Sequence, residues 1–159
     1  MDTGPPPQQE YPTMTLPLLL VLAVALVLFY WAWIASPRAI QTGREQMLRE
    51  QGQASGATFF PVDPRRMLGD WDGTCILFDP DARKACIVSR GKRAQTVDFD
   101  YFQTWQLKWT EYPGNPVFRF QHVHFLFETG DFDRPTIRVA MPSKSDGEAW
   151  NAKLSILMP

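Results

Sequence analysis

Hydrophobic and polar positions divide the chain into three stretches of different character. The first, residues 16–35, reads LPLLLVLAVALVLFYWAWIA and holds no charge. At 1.5 Å per residue it would run about 30 Å as a helix, the hydrocarbon thickness of a bilayer. A surface helix of a small domain normally keeps one polar face, so the pattern predicts a single transmembrane helix over 16–35. Pro17 falls in its first turn, where a missing N–H costs little. Phe29, Tyr30, Trp31 and Trp33 gather at its end as an interfacial aromatic belt would. Ala23, Ala25 and Ala32 are small enough to admit a neighbouring helix. A cleaved signal peptide fits less well, because residues 1–15 contain no Lys or Arg and bulky Trp33 and Ile34 stand where cleavage needs small side chains.

The second stretch, 36–58, is polar. RAIQTGREQMLRE (38–50) suits a short juxtamembrane helix with a thin apolar stripe of Ile40, Met47 and Leu48, and QGQASGAT (51–58) reads as a flexible linker. The third stretch, 59–159, alternates as strands do between turn signals. TCILFD (74–79), KACIVSR (84–90), RAQTVDF (93–99), QTWQLKWTEY (103–112), VFRFQHVHFLFE (117–128) and TIRVAM (136–141) give six strands. Trp105, Leu107 and Trp109 share one face of the fourth. A helix over 146–158 follows, with Ser145 and Glu148 as a capping box and Trp150, Leu154 and Leu157 at helical spacing. These six residues are the expected domain core. Strands followed by one helix make an α+β domain: a strongly bent antiparallel sheet with a helix plugging its open end.

That order of meander strands and a capping helix with a central Trp resembles the pleckstrin-homology-like (PH-like) fold, and more narrowly the uncharacterised bacterial PH-like domains. ILFDPDARKACIV, VDFDYFQTWQL, FETGDFDRPTIRV and EAWNAKLSIL carry the likeness, over about residues 70–158. It implies a half-barrel of six or seven strands. A seventh strand would come from Thr58–Val62 or from a split within 97–112. It brings no function with it.

Charge adds sidedness. All 16 Lys and Arg lie after residue 37, and Arg38, Arg44 and Arg49 follow the apolar run closely. Positive flanks resist translocation. The expected placement is therefore a membrane, of the bacterial inner-membrane kind, with the tail 1–15 outside and 59–159 in the cytoplasm. A net charge of −1 argues against a general nucleic-acid binder.

Few residues suggest chemistry. A turn centred on Pro80-Asp81 would set Cys75 opposite Cys86, where a disulfide or two-thiolate metal clip is conceivable. Two small buried hydrophobes is the plainer reading in a reducing compartment. His122 and His124 form H-x-H on a strand and would share a face, but zinc wants three or four ligands. Arg83 and Lys84, with Arg38 and Arg44 near the membrane, are the candidates for anionic-lipid contact. A second basic group, Arg90, Lys92 and Arg93, lies at the other end of the same strand, roughly 20 Å away, too far to share one phosphate. The aspartate pairs fall at turns, where they cap backbone N–H groups. No nucleophile elbow, phosphate loop or zinc-protease motif is present.

The resulting expectation is a non-enzymatic accessory or scaffold subunit of a larger membrane protein complex. Its partners would be integral membrane subunits and the lipid bilayer, with no cofactor, nucleic acid or small-molecule substrate. Apolar residues on both faces of CILF and ACIV would meet a protein partner. The alternative is an anionic-lipid-binding, membrane-tethered domain, and a metal- or thiol-linked sensor ranks third.

Overall fold

The structure, a computed structural model, describes residues 16–114 and 119–159, and within the first helix the side chains of residues 20–31 and 40–55. Expectations for the tail 1–15, and for the side chains of Ala32, Trp33 and Arg38, lie outside the described residues. The chain forms two compact units, Met1–Thr42 and Gly43–Pro159.

The expected membrane span needs correcting. Helix α1 runs from Leu16 to Ser55, and among the described residues no helix is long and apolar enough to cross a membrane. The apolar side chains that are described run from Leu20 to Trp31. Further along, the same helix carries Arg44, Glu45, Arg49 and Glu50. The reading as a single-pass membrane protein falls with the span, on which the sidedness also rested. Residues 51–55, expected as linker, are helical, and Gly56 ends the helix in the left-handed conformation that glycine adopts at no steric cost (φ 72°).

The second unit holds seven strands in two antiparallel sheets, not one bent sheet. Strands β1 (Met67–Gly69), β2 (Thr74–Asp79), β3 (Lys84–Ser89) and β4 (Gln95–Asp98) form the first in sequential order. Strands β5 (Phe102–Glu111), β6 (Phe120–Thr129) and β7 (Thr136–Ala140) form the second. A single 3-10 turn, Phe99–Tyr101, carries the chain from one sheet to the other. The added strand is β1, which lies in neither place expected for a seventh. Helix α2 (Lys144–Leu157) begins two residues early: Ser143 is the cap, accepting from Asp146 N (3.1 Å) and donating to Asp146 Oδ2 (2.6 Å).

Burial explains the hydrophobic pattern. Along β6, Val123, Phe125, Phe127 and Thr129 are buried and the residues between them are not, as befits a sheet with one wet face. Strand β2 is buried from Cys75 to Asp79 because both faces of its sheet are covered. On one side Ile76, Phe78, Ala85 and Ile87 meet Phe125, Phe127, Ile137 and Val139 of the second sheet, with Trp150 and Leu154 of α2 in the same cluster. On the other side Cys75, Leu77 and Cys86 pack under Leu48 of α1 with Ala57 and Phe59. The second apolar face, expected to await a partner, is covered by the chain itself.

Close approach of the sheets fixes one glycine. Gly69 has φ 85°, and a Cβ there would lie 2.5 Å from Thr74 O and 2.5 Å from Val139 Cγ1. Gly69→Ala is therefore expected to cost about 1–3 kcal/mol, strain and overpacking together, in a urea titration. Unchanged stability would mean that β1 does not sit this close to β7.

Candidate functional site

The hairpin β2–β3 decides the cysteine question. Its register runs from Thr74↔Ser89 to Asp79↔Lys84, which puts Cys75 opposite Val88 and Cys86 opposite Leu77. The shift of Cys75's partner by two residues, from Cys86 to Val88, arises in the turn, Pro80–Arg83. It is closed by Arg83 N donating to Pro80 O (3.3 Å), with Arg83 at φ 53°. Asp79, buried at the corner, accepts from Asp81 N, Ala82 N and Thr58 N, which ties the approach segment to the hairpin. The two thiols are thus diagonal neighbours on one face, a geometry whose usual Cα spacing of about 7–8 Å exceeds what a disulfide spans. Both are free and fully buried. Burial first, and the neighbouring Cys86 second, push the Cys75 thiol up to about 12. Burial raises Cys86 to about 11, partly offset by its hydrogen bond with Thr96. Thiols held neutral in this way are poor ligands and poor nucleophiles.

The histidines lie on the other sheet. His122 is exposed with φ 53°, beside an irregularity in the β5–β6 register between Lys108 and Thr110. Its carbonyl lies 2.6 Å from His124 Nδ1, so the ring of His124 donates there, turned toward its own strand. The Cys pair and the His pair are not brought together, and among the described residues no group of three or more His, Cys, Asp or Glu is placed to hold a metal.

The lipid candidates are separated as well. Lys84 Nζ sits 2.7 Å from Asp98 Oδ1, and Arg83 is 4.0 Å from Asp100 while lying over the Phe99 ring. Each carries its own counter-charge. Arg44 stacks over Trp71 (5.2 Å) and donates to Trp71 O (3.4 Å), closing the covered face of the first sheet.

Of the expected core, Trp150 and Leu154 are buried, while Trp105, Leu107 and Leu157 are partly so. Trp105 Nε1 donates to Asn151 Oδ1 (3.1 Å). Trp109, 39% exposed, is instead a surface residue, standing edge-on to Phe120 with the Lys144 ammonium 4.4 Å from its ring and 4.3 Å from that of Phe120. On α1, Ala23, Ala25, Phe29, Tyr30 and Trp31 are exposed.

Two features escaped the sequence reading. Phe132, at the β6–β7 turn, is 97% exposed. Arg90, Lys92 and Arg93 are exposed and, like Arg44, Arg65, Lys108, Arg134, Arg138 and Lys153, form no ion pair among the described residues. Phenylalanine between two aspartates in a turn was a readable signal. Ion pairing was not, since it depends on which strands meet. The fold and these surfaces define a small two-sheet α+β domain, and a first helix whose described side chains from Leu20 to Trp31 are apolar and exposed. No protein-family profile, curated protein or solved structure matches the chain.

Proposed function

We propose that the protein is a non-enzymatic accessory or scaffold subunit of a larger membrane protein complex. In this reading the apolar stretch of α1 is buried against partner subunits, and the β domain docks on partner subunits as well. One observation carries the reading. From Leu20 to Trp31 ten large apolar side chains are each 50–69% exposed, with no charge among them. Burying a side chain of this size is favourable by about 1.5–3 kcal/mol, so covering the whole stretch offers far more than a typical domain's net stability. Such a surface calls for a protein neighbour.

The test is mild-detergent extraction of native cells through a C-terminal tag, with the mass ratio of co-eluting proteins measured. An integral membrane protein at fixed stoichiometry, lost when Leu22 and Leu26 are both replaced by Gln, is the expected result. Wild-type protein recovered alone, with no neighbour in fixed ratio, would refute the proposal.

A further inference from the structure

Strand β5 ends the second sheet: β6 pairs with one of its edges, and no strand pairs with the other. From Gln103 to Glu111 its backbone makes no hydrogen bond outside the β5–β6 ladder among the described residues. Ten residues long, it exceeds β1, β4 and β7, the other strands that end a sheet, by a factor of two or more. Natural sheets blunt such an edge with proline, with charge or with a bulge. Strand β5 has no proline, and Lys108 and Glu111 are its only charges. Its ladder with β6 is irregular at two places, and only at the first is the extra residue in β5: Gln103, between the pairs Phe102↔Thr129 and Thr104↔Glu128. At the second, between Lys108↔His124 and Thr110↔Gln121, three steps of β6 match two of β5, beside His122 with φ 53°. The free edge is therefore regular from Thr104 to Glu111.

From this edge we infer that the β domain forms a two-fold symmetric homodimer, in which β5 of one protomer pairs antiparallel with β5 of its partner and joins two three-stranded sheets into one of six strands. The residues of β5 select a second copy as the occupant. Trp105, Leu107 and Trp109 lie on the face that meets α2, through Asn151, Gly147 and Lys144. A shift of one residue turns a strand over, so an apolar face stays continuous across the axis only when odd positions oppose odd ones. Within 104–111 the two longest registers that satisfy this are centred on Leu107 and on Lys108. The second sets Lys108 against its own copy, and like charges directly opposite are destabilising. The first sets Thr104 against Thr110, Trp105 against Trp109 and Gln106 against Lys108, each pair twice, with Leu107 on the axis. Aromatic and threonine cross-strand pairs are of the stabilising kind, and no like charges meet. Trp109, 39% exposed in the single chain, gains a second indole beside it. A two-fold interface demands self-complementarity of this sort, which the strand of an unrelated protein does not share. The pairing also uses up both free edges, so association through them stops at two. The inference concerns β5 alone and does not rest on the accessory-subunit reading.

The test is sedimentation equilibrium of the purified full chain in a mild, density-matched detergent. Wild-type protein should show a reversible equilibrium between monomer and dimer. Gln106→Lys sets a second cation opposite Lys108 twice across the axis and should raise the dimer dissociation constant roughly tenfold. Gln106→Glu should lower it several-fold, and Gln106→Lys combined with Lys108→Glu should return it close to the wild-type value. Both positions are exposed, so far-ultraviolet circular dichroism should be the same for all four proteins. A wild-type chain that stays monomeric at every concentration would overturn the inference and leave the edge to a strand of another protein. Dissociation constants indifferent to the three variants would also overturn it, and would assign the association to the apolar stretch of α1. Weakening by Gln106→Lys without recovery in the charge-swapped variant would refute the register, and with it the pairing of two copies.

Discussion

Leu48→Ala is expected to destabilise the second unit by about 2–5 kcal/mol and to expose two thiols that the native protein hides. Leu48 is 1% exposed and sits over Cys75, Leu77 and Cys86 with Ala57 and Phe59. The last turns of α1 are therefore part of the domain's core. Truncation leaves a cavity that the surrounding sheet cannot fill, because β2 and β3 are pinned from the opposite side by Phe125 and Phe127. Leu48→Asp should be worse, since an unpaired carboxylate in that position must either lift the helix from the sheet or remain buried without a counter-charge. Urea titration reads the stability, and labelling by a thiol reagent in native buffer reads the covering. Wild-type protein should react only as fast as it opens, and the alanine variant much faster. If both proteins have equal midpoints and equal labelling rates, α1 does not cover this face.

That lid shows what was legible in the sequence and what was not. The six longer strands were readable because each carries either alternation or a continuous apolar run between turn residues, and the structure returns them within a few residues. β1 was not, because three residues, Met67–Gly69, are too short to show a period. The division into two sheets was hidden at Phe99–Tyr101, one turn of 3-10 helix inside what reads as nearly continuous strand. Met47 and Leu48 were visible as a stripe, yet nothing local told that a sheet lay beneath them. A covering is a long-range fact. The cysteine register failed for a local reason, since a four-residue turn closing at Arg83 instead of one centred on Pro80-Asp81 moves every residue's partner by two positions. The apolar run 16–35 was legible as apolar, but its length as a span was not decided by composition alone. The surface cations at 90–93 were plain in the sequence, while their lack of carboxylates emerged only when Asp98 and Asp100 fell beside Lys84 and Arg83.

The buried thiols also set how the protein responds to alkali. Cys75 and Cys86 hold their protons to about 12 and about 11, whereas the unfolded chain releases them near the ordinary value of 9.0. The folded state therefore binds more protons than the unfolded state above that pH, so stability falls as pH rises. The contribution is fully present below pH 9 and is lost progressively as the pH approaches the folded values, at up to roughly 1.4 kcal/mol per pH unit for each thiol. Two thiols give a slope steep enough to consume much of a small domain's stability within two units. The expected result is a urea midpoint that is flat near pH 8 and drops sharply toward about pH 11 in the wild type. In the double variant Cys75→Ala, Cys86→Val the drop should be shallower, with at most a modest loss at neutral pH. Lysine and tyrosine titrations are common to both proteins and cancel in the comparison. Parallel curves would mean that the thiols are not held neutral by burial. The same burial argues against redox or metal chemistry at this pair. A metal ligand or a nucleophile must first be a thiolate, and here burial holds both groups as neutral thiols near neutral pH.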